Sequence, residues 1–174
     1  MRFLALLTLV LVVGCQHAPS DPYAHLYDKA AQAKPHERLL IEPRVCVGKI
    51  TAGMKLEDVI VALGEPDRRH PSNLEYLRFG FSVAANKDGL VLMIQCGDPC
   101  DKTSALIKMF AGRTKEGIGM GSTRKQVVSA LGQPSRAEPW GPGGERLSYK
   151  DLGLYFNLAD AKVHFIEVDF PKPI

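Results

Sequence analysis

Cysteine is the residue type whose chemistry this sequence constrains most. The chain has four cysteines, and three of them, Cys46, Cys96 and Cys100, lie in its body. In an oxidising compartment, two of these three thiols are expected to pair and one to stay free. Cys96 and Cys100 would close a small ring, whereas a bridge from Cys46 to either of them encloses a longer loop and stabilises by about 3–4 kcal/mol. Since no C-x-x-C motif is present, a redox role for the remaining thiol is disfavoured.

Other residue types that carry catalysis do not have the spacing of a site. The sequence lacks the G-x-S-x-G nucleophile motif, and Glu57 and Asp58 are expected to be solvent-facing charges on a helix rather than an acid/base pair. The glycines of Gly117–Gly121 are not followed by the Gly-Lys-Ser/Thr of a phosphate loop. We therefore expect no catalytic residues, no metal, no cofactor and no small-molecule substrate. The histidines lack the clustering of a zinc site; they are His17, His25, His36, His70 and His164.

Aromatic residues are the remaining candidates for function. Trp140, the single tryptophan, lies in the loop sequence P-W-G-P-G-G, where packing alone seldom places one. One interpretation is an anchor for a protein partner, because aromatic residues are enriched in such contacts. The other is a tryptophan folded back onto a sheet. The accompanying partner-binding candidates on neighbouring strands are Tyr76, Phe79, Tyr149 and Tyr155.

The N-terminal residues have the pattern of a secretory signal, in which Arg2 precedes an apolar run from Phe3 to Val13. This run is too short to span a bilayer as a helix of the mature protein. It ends in Val-Val-Gly-Cys, which resembles the lipobox of bacterial lipoproteins. The resemblance implies cleavage before Cys15 and acylation of Cys15 with palmitate or similar chains, which together anchor a protein stably. The alternative is an ordinary secretion signal followed by a chance cysteine.

Composition and the residue after Cys15 bear on the location of the protein. The chain is 45% hydrophobic and 24% charged, with a formal net charge of +3. These values are ordinary for a globular protein, and no basic cluster with interleaved aromatics points to nucleic acid. Gln16 is not the aspartate that resembles an inner-membrane retention signal. We therefore expect a protein that is lipid-anchored in the outer membrane and faces the periplasm.

An internal repeat organises the elements that carry these residues. The stretch Ile50–Arg68 returns as Ile118–Arg136. Such a repeat decides how the whole fold is interpreted. The residues of the first copy that recur unchanged at the matching positions of the second are Ile50, Gly53, Val59, Ala62, Leu63, Gly64, Pro66 and Arg68.

Each copy of the repeat predicts a short helix. Leucines and valines recur with the spacing of one apolar helix face. Gly64 and Gly132 are expected to end the two helices in a backbone conformation that favours glycine, and a proline two residues later prevents the helix from resuming. Thr123 and Gln126 predict a capping box at the start of the second helix. Lys55, at the same place in the first copy, is a poor cap.

Strands are predicted after each helix. In the first copy they are 74–84 and 90–96, joined by a turn at 86–89. In the second they are 145–149, 153–158 and 162–170. A further helix is expected at Thr103–Ala111, closed by Gly112. Helices followed by strands predict an α+β fold of two tandem helix-helix-antiparallel-sheet repeats after a lipoprotein signal peptide. The expected units are the signal peptide (1–14), a tether with a short helix (15–43), the first repeat (44–100) and the second (101–174).

The repeat resembles the small outer-membrane lipoproteins of the BamE (SmpA/OmlA) family. It is also similar to the tandem fold of the β-lactamase inhibitor protein, in which two such units form one concave sheet. The residues that carry the resemblance are Gly53-Met54, Val59, Leu63-Gly64-Glu65-Pro66 and Tyr76, and then Gly121-Ser122, Val127, Leu131-Gly132-Gln133-Pro134 and Tyr149.

The sequence as a whole predicts a membrane-anchored scaffold that is not an enzyme. Its sheet surface is expected to bind a protein partner in the bacterial envelope, in outer-membrane assembly or integrity. One alternative is an inhibitor-like module that binds a secreted enzyme. Another is a periplasmic hydrolase or redox protein that uses Cys96 and Cys100.

Overall fold

Short strands, paired mostly antiparallel, are the main regular elements of the part of the chain that the structure describes. The computed structural model describes residues 39–97 and 108–171. Within these residues the helices are α1 (Leu56–Leu63) and α2 (Arg124–Leu131), and two 3-10 turns cover Leu77–Phe79 and Lys150–Leu152. The strands are β1 (Leu40–Glu42), β2 (Cys46–Val47), β3 (Ile50–Thr51), β4 (Arg68–His70), β5 (Asn73–Tyr76), β6 (Phe81–Ala85), β7 (Val91–Gly97), β8 (Arg113–Thr114), β9 (Arg136–Pro139), β10 (Glu145–Tyr149), β11 (Leu154–Ala159) and β12 (Lys162–Asp169).

The described strands form two sheets. The small sheet has the order β3-β2-β1-β8, and β1 pairs with β8 in parallel. The large sheet has the order β4-β5-β6-β7-β12-β11-β10-β9. Each repeat contributes one helix and four of these strands. The two halves join at β7 and β12, where Cys96 lies opposite Ile166.

The predicted fold class is wrong. The protein is a sheet-rich fold with 45% strand and only two α-helices in its described part, rather than two helix-helix-sheet repeats. The extra helix expected at Thr103–Ala111 is not seen in its described end, residues 108–111, which have extended or irregular backbone. A short apolar run does not distinguish a helix from a buried extended segment. Here Phe110 is fully buried, and the backbone amide of Lys108 donates to the carbonyl of Leu77.

The predicted helix ends are confirmed. Gly64 and Gly132 cap α1 and α2 with φ angles of 82° and 80°. At the start of α2, the Thr123 hydroxyl accepts from the Gln126 amide, and the Gln126 side chain accepts from the Thr123 amide. Lys55 makes no side-chain cap for α1. Local capping chemistry therefore sets the ends of both helices and the start of α2.

The strand and turn predictions for 74–96 and 145–170 are also confirmed to within a few residues. In the predicted turn at 86–89, the Asn86 side-chain oxygen accepts from the amides of Asp88 and Leu90, at 2.9 Å each. The 3-10 turns interrupt the predicted strands directly after Tyr76 and Tyr149. Each of these turns ends at a left-handed glycine, Gly80 or Gly153.

One face of the large sheet forms the core. Because side chains alternate between the faces of a strand, the register places two rows of buried residues on the same side as the helices. These rows belong to one core cluster with Val59 of α1 and Val127 of α2, both fully buried. The rows are Leu74-Val83-Ile94-Val168-Leu154-Tyr149 and Tyr76-Phe81-Cys96-Ile166-Phe156-Leu147.

Candidate functional site

The opposite face of the large sheet, here called the open face, carries a continuous row of polar residues that lie outside the core cluster. One row across all eight strands shows its character: Arg68-Glu75-Ser82-Gln95-Glu167-Tyr155-Ser148-Arg136. None of these residues belongs to the core cluster. The open face is therefore the surface on which the predicted contact residues have to be sought.

Tyr76 and Tyr149, two of the predicted partner-binding residues, lie in the core instead. The Tyr76 hydroxyl donates to the carbonyl of Gly64 at 3.0 Å, and the Tyr149 hydroxyl donates to that of Gly132 at 2.9 Å. Burial raises the pKa of both phenols. Each tyrosine thus ties the end of a helix to the sheet, and neither presents its ring to a partner.

Phe79 is exposed but lies apart from the open face. It is in the first 3-10 turn and is 40% exposed. Its ring stacks on Tyr76 and Phe81 at centroid distances of 6.2 and 6.1 Å. The Arg78 guanidinium covers it at 5.1 Å. These contacts make Phe79 the outer layer of the core aromatics rather than a separate anchor.

Trp140 and Tyr155 are brought together by a residue that the sequence did not indicate, Arg146. The guanidinium carbon of Arg146 lies 5.1 Å from the centre of the Trp140 ring and 4.7 Å from that of Tyr155. Trp140 remains 47% exposed. Its loop is closed by a hydrogen bond from the Trp140 amide to the Gly144 carbonyl at 3.0 Å. A Cβ atom on Gly144 would lie 2.2 Å from the Trp140 carbonyl oxygen, so this tight loop requires glycine.

Arg146 is held in place by polar partners on the next strands. Its Nη2 donates to Oε1 of Glu167 at 2.7 Å, and its Nη1 donates to Oδ1 of Asn157 at 3.4 Å. The side chains of Arg146 and Glu167 are only 15% and 17% exposed. A charge-assisted bond shielded from water in this way is stronger than a surface ion pair. These bonds hold the guanidinium in place within the protein itself.

Asp169 completes this group. It lies two residues from Glu167 on the same face of β12, and Tyr155 pairs with Glu167 on the neighbouring strand. Burial, and then the nearby Glu167 carboxylate, raise the pKa of Asp169, against the opposing effects of Tyr155, Arg146 and Arg44. Burial likewise raises the pKa of Tyr155. We call Trp140, Arg146, Tyr155, Asn157, Glu167 and Asp169 the contact cluster.

The first repeat lacks the contact cluster at matching positions. The strand registers superimpose the repeats through Tyr76 and Tyr149, which lie opposite Phe81 and Leu154 respectively. Core positions keep their apolar character in both halves, whereas the open-face positions differ in size and charge. The residues that match Arg146, Tyr155, Asn157, Glu167 and Asp169 are, in that order, Asn73, Ser82, Ala84, Gln95 and Gly97.

Cys46 and Cys96 are free thiols, so neither forms the bridge that was expected among Cys46, Cys96 and Cys100. Cys96 is fully buried in the core row of β7, and burial raises the pKa of its thiol well above the usual value. Burial also raises the pKa of Cys46. Cys100 and the lipidation candidate Cys15 lie outside the described residues. A raised pKa disfavours the reactive thiolate, so Cys96 is a core residue.

The other features considered from the sequence have structural roles or form no site. Within 39–97 and 108–171, no three His, Cys, Asp or Glu residues are grouped to hold a metal. In the same residues, no helix is long and apolar enough to cross a membrane. In the segment Gly117–Gly121, the first and last glycines have φ angles of 83° and 77°. A Cβ atom on Gly119 would lie 2.7 Å from the Gly112 carbonyl oxygen.

Four members of the contact cluster, Arg146, Asn157, Glu167 and Asp169, were missed by the sequence analysis. The signal that could have found them is alternation. In Ile166–Phe170, acidic residues alternate with apolar ones, which indicates a strand with one face outside the core. The contact between Arg146 and Glu167 depends on the pairing of β10, β11 and β12.

Comparisons with known proteins found few similarities. No protein-family model matches the chain, and no curated protein does. A crystal structure of a DUF4309 family protein (YjgB) from Bacillus subtilis subsp. subtilis str. 168 is 17% identical, with a TM-score of 0.49, over 84% of this chain and 93% of that chain.

A second solved structure is an extracellular protein containing an SCP domain from Bacillus anthracis str. Ames. It is 12% identical, with a TM-score of 0.40, over 68% of this chain and 44% of that chain. This protein therefore spans less than half of that chain. Both similar structures are small bacterial domains, and neither gives evidence for the BamE family. At these identities and TM-scores, neither likeness bears on function.

Proposed function

We propose that this protein is a lipid-anchored protein of the bacterial envelope that binds a protein partner through the contact cluster on its open face. The cluster has the composition of an interaction centre, because tryptophan, tyrosine and arginine are the residues that most often dominate binding energy at protein interfaces. A half-exposed Trp140 ring beside a fixed Arg146 guanidinium is the observation that carries this proposal.

The repeat supports a binding role over a structural one. Both halves build the same helix end, tyrosine hydrogen bond and core rows, and the first half does so with Asn73, Ser82 and Gln95 on its open face. The cluster is therefore not needed to fold such a unit. A half-exposed tryptophan beside an ion pair on the open face is expected to serve a ligand.

The anchor is proposed from sequence alone. The lipobox-like Val-Val-Gly-Cys ending at Cys15 lies outside the described residues, and we propose that Cys15 is acylated and holds the protein at the outer membrane, facing the periplasm. From the resemblance of the repeat motif to the BamE family, we propose a role in outer-membrane assembly or integrity. Burial of Cys96 disfavours the alternative of a redox protein that uses Cys96 with Cys100.

An inhibitor-like module remains the second candidate. An open sheet that extends across both halves offers a broad face for a folded enzyme. The two candidates use the same surface and differ in the partner, so identifying the partner separates them.

Site-specific photocrosslinking in cells tests the proposal. The photoreactive residue benzoylphenylalanine replaces Trp140 in the full-length protein, and the matched control carries it at Val61, which is 86% exposed on the outer side of α1. We expect one defined protein adduct at position 140 and none at position 61. Adding Arg146→Ala to the position-140 variant is expected to remove that adduct. Equal crosslinking at both positions, or no adduct at position 140, would contradict the proposal.

A further inference from the structure

The two edge strands of the large sheet differ at one matched position. Among the described strands, β4 and β9 each have a neighbour in this sheet on one side only. Arg69 of β4 lies opposite Leu74, which is fully buried in the core. At the matching position of β9, Ala137 lies opposite Leu147, which is also fully buried. Because residues opposite each other on neighbouring strands share a face of the sheet, Arg69 and Ala137 both lie on the core side.

The first half closes its edge strand with charge, and the second half does not. Nη2 of Arg69 lies 3.9 Å from Oε1 of Glu57 on α1. At the matching positions the second half has Ala137 and Lys125, which cannot form such an ion pair. Charged residues that point inward on an edge strand are one means by which proteins prevent a further strand from pairing. β9 lacks this protection, because Ala137 is small and exposed.

The outer side of β9 presents backbone hydrogen-bonding groups. The Trp140 amide donates to the Gly144 carbonyl, so these two residues form a hydrogen-bonded pair. Hydrogen-bonded and non-hydrogen-bonded pairs alternate along an antiparallel ladder, and the β9–β10 register continues without a shift. The N–H and C=O of Ala137 therefore point away from β10, as does the C=O of Pro139. Since proline has no N–H, this edge offers one donor and two acceptors, and no described strand pairs with them.

β9 also leads directly into the contact cluster. Trp140 follows the last residue of β9, and Glu138 of β9 lies opposite Arg146 on β10. A segment that pairs with the outer side of β9 would therefore run alongside the loop that carries the Trp140 ring. The other edge strand, β4, has no such cluster beside it, since the position matching Arg146 is Asn73.

We propose that the protein partner supplies an extended segment that pairs with β9 and adds a strand to the large sheet beside Trp140. This inference rests on the proposed function and specifies how the partner binds. Backbone hydrogen bonds give an added strand its affinity, and its alternate side chains give specificity. Here the backbone bonds are made to Ala137 and Pro139, and Trp140 contacts the side chains.

Linear random peptides displayed on phage are the probe, because a flexible peptide can adopt the extended conformation of a strand. They are selected on the full-length wild-type protein in detergent. The double variant Ala137→Arg/Lys125→Glu copies the ion pair of the first half, and we expect it to weaken peptide binding about tenfold or more. The control variant Val61→Arg/Lys87→Glu makes the same charge changes at exposed positions of the first half and is expected to leave binding unchanged.

N-methylation of the peptide backbone then tests strand pairing. The peptide N–H groups that donate to the carbonyls of Ala137 and Pro139 are two residues apart, and the N–H between them points away from β9. Methylating either of the two donors is expected to weaken binding about tenfold, whereas methylating the N–H between them should have little effect. Equal losses at all three positions, or no loss at any, would overturn the inference.

The variant Trp140→Ala separates this inference from the proposed function. Peptides that depend on Trp140 but bind the Ala137→Arg/Lys125→Glu variant as tightly as the wild type would overturn the inference and leave the proposed function standing. If no selected peptide is weakened by Trp140→Ala, both fail. Urea unfolding of each variant confirms that it is folded.

Discussion

At the scale of single residues, the contact cluster holds one charged group, Asp169, where it does not favour folding. Asp169 is partly shielded from water and lies near Glu167, and both circumstances disfavour its ionised form. Only the folded chain imposes these surroundings, so ionised Asp169 lowers stability. Sites that bind ligands often retain such unfavourable groups, because the ligand rather than the fold uses them.

Asp169→Asn is therefore expected to stabilise the protein at neutral pH. The pKa of Asp169 is raised on folding, so its contribution is most favourable below the unfolded value, about 3.9, and is lost as the pH rises through the folded value. The advantage of the variant over the wild type should grow as the pH rises from 3 to 7. Urea unfolding of both proteins across this range measures it.

Asp88→Asn, in the exposed turn after β6, is the baseline for removing a carboxylate that is not in the cluster. The stability gain of Asp169→Asn should exceed that baseline at pH 7. If the stability advantage of Asp169→Asn over the wild type falls as the pH rises, the ionised form of Asp169 is stabilised on folding, contrary to the direction of its pKa shift.

At the scale of elements, two helices of equal length begin in different ways. Both α1 and α2 have eight residues and end at a glycine, but only α2 has a capping box. Acidic residues in the first turn of α1, Glu57 and Asp58, favour its N-terminus through the helix dipole instead. The two helices therefore form a natural comparison for the value of one cap.

Thr123→Ala is expected to lower the free energy of unfolding by about 1 kcal/mol, because the Gln126 amide loses its acceptor. Lys55→Ala, at the same place in α1, is the matched control and is expected to change stability by less than about 0.5 kcal/mol. Urea unfolding followed by circular dichroism measures both. Equal losses at the two positions would mean that the cap contributes little to α2.

At the scale of the whole molecule, the repeats share one sheet rather than forming separate bodies. The β7–β12 pairing runs from Gly97 opposite Phe165 to Met93 opposite Asp169. The core rows cross this junction without a break, since Ile94 lies opposite Val168 and Cys96 opposite Ile166. We therefore expect the described part of the chain to unfold as a single cooperative unit.

Leu74→Ala tests this cooperativity from the far end of the sheet. Leu74 is fully buried in β5, and its truncation is expected to cost about 2–5 kcal/mol. The single tryptophan, Trp140, lies in the second half and reports its unfolding by fluorescence. In the Leu74→Ala variant, the fluorescence transition should shift to a lower urea concentration by as much as the circular-dichroism transition does. The control, Leu147→Ala at the matching position in β10, should shift both signals alike. A fluorescence transition unaffected by Leu74→Ala would show that the halves unfold separately.

Residues with local effects were predictable. Gly64, Gly132 and the pair Thr123–Gln126 act within a few residues of their own positions, so their pattern in the sequence specified the helix ends. Tyr76 and Tyr149 were recognised as a matched pair but assigned to the surface. The sequence alone does not tell which face of the sheet a tyrosine occupies until the register is known. Here the hydroxyls of both tyrosines hydrogen-bond to the helix ends.

The sequence by itself determined the repeat, the two short helices, the turns and most of the strands, because each depends on propensity, capping or alternation over a few neighbouring residues. Only the tertiary structure decided that residues 108–111 are not helical, that β7 pairs with β12, and that Arg146 meets Trp140, Tyr155 and Glu167 on one face. These features depend on which strands become neighbours. Burial of the core rows selects that pairing across the whole chain, and no short stretch encodes it.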